Sequence, residues 1–186
     1  MRDDATPLSL GEWASLGILY QAPAHGFAVA ARLKPTGDVG RVWSLSRPLT
    51  YRALDQLTAR GYVRAIGEEP GVAGGNRTIL AGTRAGRARF RRWLATPVEH
   101  MRDLRSELLL KLVLADMCEL DITDMLDRQV AHIAHLSKRL HDAVEAAGPT
   151  DVVAVWRSES SRAALRFLER VRTARESPWR TLDGRD

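Results

Sequence analysis

Two short stretches carry side chains suited to holding a polyanion. Ser46, Arg47, Thr50, Tyr51 and Arg52 fall within the first two turns of one predicted helix, and Asn76 and Arg77 follow the glycine-rich run GVAGG. A guanidinium presents a planar fork of donors that fits a phosphate or a guanine edge, and serine, threonine and tyrosine hydroxyls donate to phosphate oxygens. An arginine beside glycines also suits a narrow minor groove. At about 100° per residue, Thr50 shares a face with Ala53, Leu54 and Leu57, so the same period also places it on the core side; Tyr51, Arg52 and Asp55 point away.

Other chemistry is poorly represented. There is no glycine-rich phosphate loop after a strand, no G-x-S-x-G and no carboxylate pair in an acid/base setting, so the chain does not read as an enzyme. His132 and His135, with Asp124 and Asp127 upstream, have metal-ligand residue types. However, Arg128, His132, His135 and Arg139 trace one polar helical face, which reads as solvated surface. The single cysteine, Cys118, has no identifiable base, excludes an intrachain disulfide and reads as structural. Neither a metal nor a cofactor is expected.

The elements that must position the first stretch follow from caps and breakers. Ser9-x-x-Glu12 is a capping box, giving a helix from about Leu10 to Gln21. Pro23 and Gly26 flank a turn, and a second helix runs from Phe27 to about Lys34, before Pro35. Ser46 can cap the third helix, in which Pro48 loses no bond because first-turn donors have no intrahelical partner, and Gly61 can end it in the left-handed region. YVRAI and NRTILAG alternate as strands on either side of the turn-rich EEPGVAGG, and Thr83 can cap TRAGRARFRRWL. Three helices followed by a hairpin predict a winged helix-turn-helix.

The remainder is helical throughout. SELLLKLVLADM reads as one apolar helix, and Asp121 caps a long one with Leu126, Val130, Ile133, Leu140 and Val144 in a stripe. After Gly148 and Pro149, Thr150 or Asp151 opens another, striped by Trp156, Ser160, Ala163, Phe167 and Val171. Such a hairpin buries only part of its apolar surface against itself, so dimerisation with a second copy is expected through Leu126, Val130, Ile133, Leu140, Val144, Trp156, Ala163, Phe167 and Val171. Of five tryptophans, Trp13, Trp93 and Trp156 are expected in the core, with Trp156 also the candidate ligand platform; Trp43 and Trp179 receive no role.

The fold class is therefore mainly α with a small β-hairpin wing: an N-terminal winged helix-turn-helix (8–96), a C-terminal αα-hairpin or coiled-coil dimerisation and effector region (97–178) and a disordered tail (179–186). Composition agrees, with 45% hydrophobic and 27% charged residues. Residues 1–100 hold 14 Lys+Arg against 8 Asp+Glu, while residues 101–186 hold 14 against 15, so the positive charge lies with the winged helix. Acidic Asp3 and Asp4 stand where a signal peptide would be basic, and no apolar run reaches membrane-spanning length, so a cytoplasmic location is expected.

These residues resemble the PadR-like winged-helix transcriptional regulators. The likeness lies in Leu16-Gly17-Ile18-Leu19, Pro23, His25-Gly26-Phe27, Leu49-Thr50-Tyr51-Arg52-Ala53-Leu54, Leu57 and Gly61-Tyr62-Val63, then Thr83-x-x-Gly86 and Trp93-Leu94. It covers nearly all of the chain from Leu8 to about Ser177. Phe27 departs from the family's tyrosine, TILAG lacks the usual aromatic, and Asp55 is acidic where the family tends to be basic. The resemblance implies a homodimer on an inverted-repeat operator, repressing transcription until a small, often aromatic, effector releases it. The competing reading is a helical protein-interaction adaptor that keeps the winged helix as a scaffold only.

Overall fold

The computed structural model describes residues 7–70, 75–147 and 151–176. They fold mainly as α-helix with a small three-stranded antiparallel sheet in which the last strand in sequence lies between the other two, and divide into two compact units. The first joins the chain up to Leu94 with Arg105–Asp121, and the second joins Ala95–Leu104 with the chain from Ile122 onward. The tail 179–186, Trp179, Gly71 and Gly74 of the wing tip and the Gly148-Pro149 break lie outside the described residues.

In the first unit, α1 (Leu10–Gln21) starts on the expected capping box: Ser9 Oγ accepts the Glu12 N–H, and Glu12 Oε2 accepts the Ser9 N–H at 2.8 Å. Every residue from Gly11 to Tyr20 is buried, so α1 is the axis on which the unit packs. The expected turn after it contains a two-residue strand, β1 (Ala24–His25), paired with β3 (Asn76–Gly82) through Ala24↔Leu80 and His25↔Ile79. Two residues are too few to show alternation; the strand exists because β3 offers it a hydrogen-bonding edge. Helix α2 (Gly26–Arg32) stops before Lys34, its end closed by Gly37 and Gly40 N–H groups donating to the Lys34 and Arg32 carbonyls.

Helix α3 (Arg47–Ala59) buries Thr50, Ala53, Leu54 and Leu57 on one face. Gly61, at φ 72°, follows it; the Gly61 N–H donates to Thr58 O and the Tyr62 N–H to Leu57 O, the two bonds of a Schellman end. The wing is longer than its sequence suggests: β2 (Val63–Pro70) runs on through GEEP to pair with β3 (Asn76–Gly82), slipping register between Ala65 and Gly67. The bulge lets turn-type residues continue in an edge strand. Thr83 Oγ1 accepts the Gly86 N–H in the first turn of α4 (Arg84–Leu94) and donates to Gly61 O at 2.8 Å, joining the end of α3 to the start of α4.

Where the sequence predicts one helix over 106–117, the chain makes a π-wound turn (Leu104–Leu108) and then α5 (Leu109–Met117). The sequence boundary at 96 leaves α5 outside the winged helix, whereas α5 belongs to the first unit. It is apolar enough to need cover and finds it on α1: Leu114 lies so close to Gly17 that an added Cβ would sit 2.9 Å from it. Beside it Trp13 stacks on Trp93 at 4.7 Å, and the Trp93 indole donates to Glu107, which pairs with Lys111 at 2.9 Å. Burial pushes the Lys111 ammonium below its ordinary value, against the pull of Glu107.

In the second unit, α6 (Thr123–Ala147) and α7 (Val152–Glu176) pack antiparallel, with Asp127 near Arg172, Ser137 bonded to Ser161 and His141 bonded to Arg162. Helix α6 begins one residue later than predicted, and Asp151 caps α7 by accepting the Val153 and Ala154 N–H groups. Gln129 clamps the Val98 backbone, accepting its N–H and donating to its carbonyl. The apolar stripe divides. Leu126 and Ile133 are buried within the unit, Val130, Leu140, Val144 and Val171 are half-buried, and Ala163, Phe167 and Trp156 are exposed. Trp156, at 71% exposure, is thus not a core residue: α7 turns Ser158, Ser161 and Leu168 toward α6 and Trp156 away.

Candidate nucleic-acid interface

The site is built on the first two turns of α3. Ser46 holds the N-cap position in extended backbone (φ −67°, ψ 156°), yet its hydroxyl makes no capping bond, which leaves it exposed ahead of the helix. Arg47, Tyr51 and Arg52 are exposed, and among the described residues neither arginine has an ion-pair partner. Thr50 does not belong with them. It is fully buried, and its hydroxyl donates to Ser46 O at 3.1 Å, because its helical position is on the face that also buries Ala53 and Leu57.

Arg47 faces a groove of about 670 Å³ between α3, the start of α2 and the wing. Its guanidinium lies 5.1 Å from the centre of the Phe27 ring and 5.8 Å from that of Tyr51. Arg77, from β3, reaches the same Phe27 ring at 5.9 Å. Both arginines therefore face an aromatic surface rather than a carboxylate, and their N–H donors are not consumed by an ion pair. Asn76 is differently placed: its amide donates to Glu68 Oε2 at 2.7 Å, tying it across the wing. Asp55 lines the groove on the next turn of α3, exposed and without an ion-pair partner among the described residues.

His25 and Phe27 also line the groove and are absent from the residue set that the sequence nominates. His25 Nδ1 accepts the Ala28 N–H at the start of α2, and its Nε2 lies 3.3 Å from Glu69 Oε1, so it anchors α2 to the wing. Phe27, 45% exposed, is where the arginines converge. An aromatic in the first turn of a short helix was the available signal, but sequence alone does not reveal that its ring stays uncovered.

The remaining candidates are accounted for locally. His132 Nε2 lies 3.0 Å from Glu99 O, and among the described residues no group of His, Cys, Asp and Glu is placed to hold a metal ion. The Cys118 thiol donates to Gly17 O, and burial pushes its pKa up to about 11. Among the described residues, no helix is long and apolar enough to cross a membrane.

No family model and no curated protein matches the chain. Among solved structures it is similar to Bacillus subtilis PadR in complex with operator DNA, at 16% identity over 89% of this chain and 99% of that one, with a TM-score of 0.47. It is similar also to Bacillus subtilis PadR in complex with p-coumaric acid (16% identity, 91% and 100% covered, TM-score 0.43) and to the Vibrio cholerae virulence activator AphA (20% identity, 90% and 94% covered, TM-score 0.41).

Proposed function

We propose that the chain is a homodimeric, sequence-specific DNA-binding regulator of transcription, with Ser46, Arg47, Tyr51 and Arg52 of α3 entering a major groove. The observation that carries this reading is that Arg47 and Arg52 stand exposed on α3 without an ion-pair partner among the described residues, with Arg47 facing a groove shared with Arg77 of the wing. Arg47 and Arg52 take phosphates or guanine edges, Ser46 and Tyr51 take phosphate oxygens, and Arg77 follows the backbone or minor groove, with Asn76 holding the wing in shape. Thr50 supports α3 from behind.

Dimerisation uses the outer face of α7, where Val152, Trp156 and Phe167 stand exposed away from α6. Two α3 helices about 34 Å apart read successive turns of one DNA face, so the operator is an inverted repeat. A small aromatic effector that binds at the dimer interface, with Trp156 as a platform, and prefers a different helix separation relieves repression by shifting the population. An adaptor reading draws on the same exposed face of α7, but it gives no part to the basic bias of residues 1–100, 14 Lys+Arg against 8 Asp+Glu.

The test is a titration on the gene's own upstream DNA at several salt concentrations. The wild type should bind with a steep salt slope, and replacing Arg47 and Arg77 together by alanine should weaken binding and lower the slope by about two per protomer. No salt-dependent binding would refute the regulator and favour the adaptor; an unchanged slope would remove the two arginines from the interface.

A further inference from the structure

We propose that Phe27 is a positioning residue that makes Arg47 and Arg77 into one anion clamp, so that the wing and the recognition helix engage a DNA phosphate as a unit. Its consequence for DNA rests on the regulator reading; the geometry does not. The two arginines come from different elements, α3 and β3, yet both guanidinium groups lie over the one ring, at 5.1 and 5.9 Å. The ring stands on an anchored backbone. It follows His25, whose Nδ1 bond to Ala28 N–H sets the first turn of α2 and whose Nε2 faces Glu69 of the wing, and the two rings lie 6.2 Å apart.

Two like charges held beside one ring repel, and each long side chain loses rotamer freedom when held there. The negative face of an aromatic ring offsets both costs without occupying the donors, because the attraction is to the ring's charge distribution and consumes no N–H hydrogen bond. A carboxylate in the same place would also gather two arginines, but it would neutralise them and compete with phosphate. The ring therefore gathers charge for a partner that has yet to arrive. The ordering is completed before binding, so a phosphate meets a preorganised pair.

Three replacements separate this role from simple packing. Phe27→Leu keeps apolar bulk and removes the π-face, Phe27→Trp keeps the face, and Phe27→Met is a second flexible, non-aromatic control. In the free protein, NMR should show the Arg47 and Arg77 side-chain resonances shifted by the ring current in the wild type. Both should return to ordinary positions in Phe27→Leu and Phe27→Met, with assignments from Arg47→Lys and Arg77→Lys. On DNA, Phe27→Leu should bind more weakly by about fivefold or more, because the two arginine side chains must then be ordered at binding instead of before it. Its salt slope should be unchanged because both charges remain, and Phe27→Trp should restore affinity. Alanine replacements of Arg47 and Arg77 should be non-additive with Phe27 present and additive with leucine there.

Unshifted arginine resonances in the wild type would overturn the clamp, as would coupling that persists in the leucine background. Wild-type protein that shows the ring-current shifts but binds no DNA would instead defeat the regulator reading and leave the clamp standing.

Discussion

Replacing Gly86 by alanine tests how the wing is seated on the helices. Gly86 is in the first turn of α4 and buried, and an added Cβ would lie 2.2 Å from Tyr62 O, below the 3.0 Å that such contacts tolerate. The obstacle is backbone that already accepts the Thr83 N–H at 2.9 Å, so it cannot swing aside as a side chain would. Separating the two segments opens that bond and strains the Thr83 Oγ1 bond to Gly61, at about 1 kcal/mol each. Residual overpacking adds about 1–3 kcal/mol. Alanine's better helix propensity returns about 1 kcal/mol, leaving a net destabilisation of about 2–4 kcal/mol.

Gly61→Ala is the matched comparison, because there φ is 72° and nothing lies within 4 Å. Only the left-handed backbone opposes it, at about 1 kcal/mol. Equilibrium urea unfolding followed by tryptophan fluorescence, with Trp13 and Trp93 as reporters in the same unit, should lower the midpoint clearly more for Gly86→Ala than for Gly61→Ala, by about 1 M or so given ordinary m-values. A Gly86→Ala protein as stable as Gly61→Ala, or stabilised as propensity alone demands, would refute the reasoning.

Further outcomes follow from the exposed and buried groups. Replacing Trp156 and Phe167 together by glutamate should move the protein to monomer in sedimentation velocity and weaken DNA binding; an unchanged sedimentation coefficient would exclude the outer face of α7 from the dimer. Because burial raises the Cys118 pKa from 9.0 to about 11, the folded state keeps a proton that the unfolded state gives up. Stability from this group is full below about pH 9 and is lost as pH rises toward 11. The melting temperature of the wild type should therefore fall more steeply than that of Cys118→Ser across this window, and parallel curves would deny it. Asp55→Asn should strengthen binding to unrelated DNA about two- to fivefold by removing a like charge from the groove, and weaker binding there would mean that the carboxylate makes a favourable contact.

Much of the winged helix was legible because its signals are local. Ser9 and Glu12 satisfy each other across three residues, Gly61 supplies the left-handed end of α3, and Leu54 and Leu57 recur at the helical period, so α1 and α3 begin or end where those residues stand. Strand β1 left no trace, since two residues cannot alternate, and GEEP reads as a turn until β3 pairs with it. In the candidate site, periodicity sent Tyr51 and Arg52 outward and warned of Thr50, whose burial then removed it from the groove.

Sequence by itself determined the order of elements, the placement of charge and the two faces of α3, all of which depend on residues within a few positions of one another. Tertiary structure decided what needed distant segments to meet. It placed α5 with α1 in the first unit, left the Trp156 face of α7 open, and brought Arg47 and Arg77 to the one ring of Phe27. Caps and periodicity act through the chain's own neighbours, whereas an exposed ring becomes a meeting point only when the wing has folded back beside the helix.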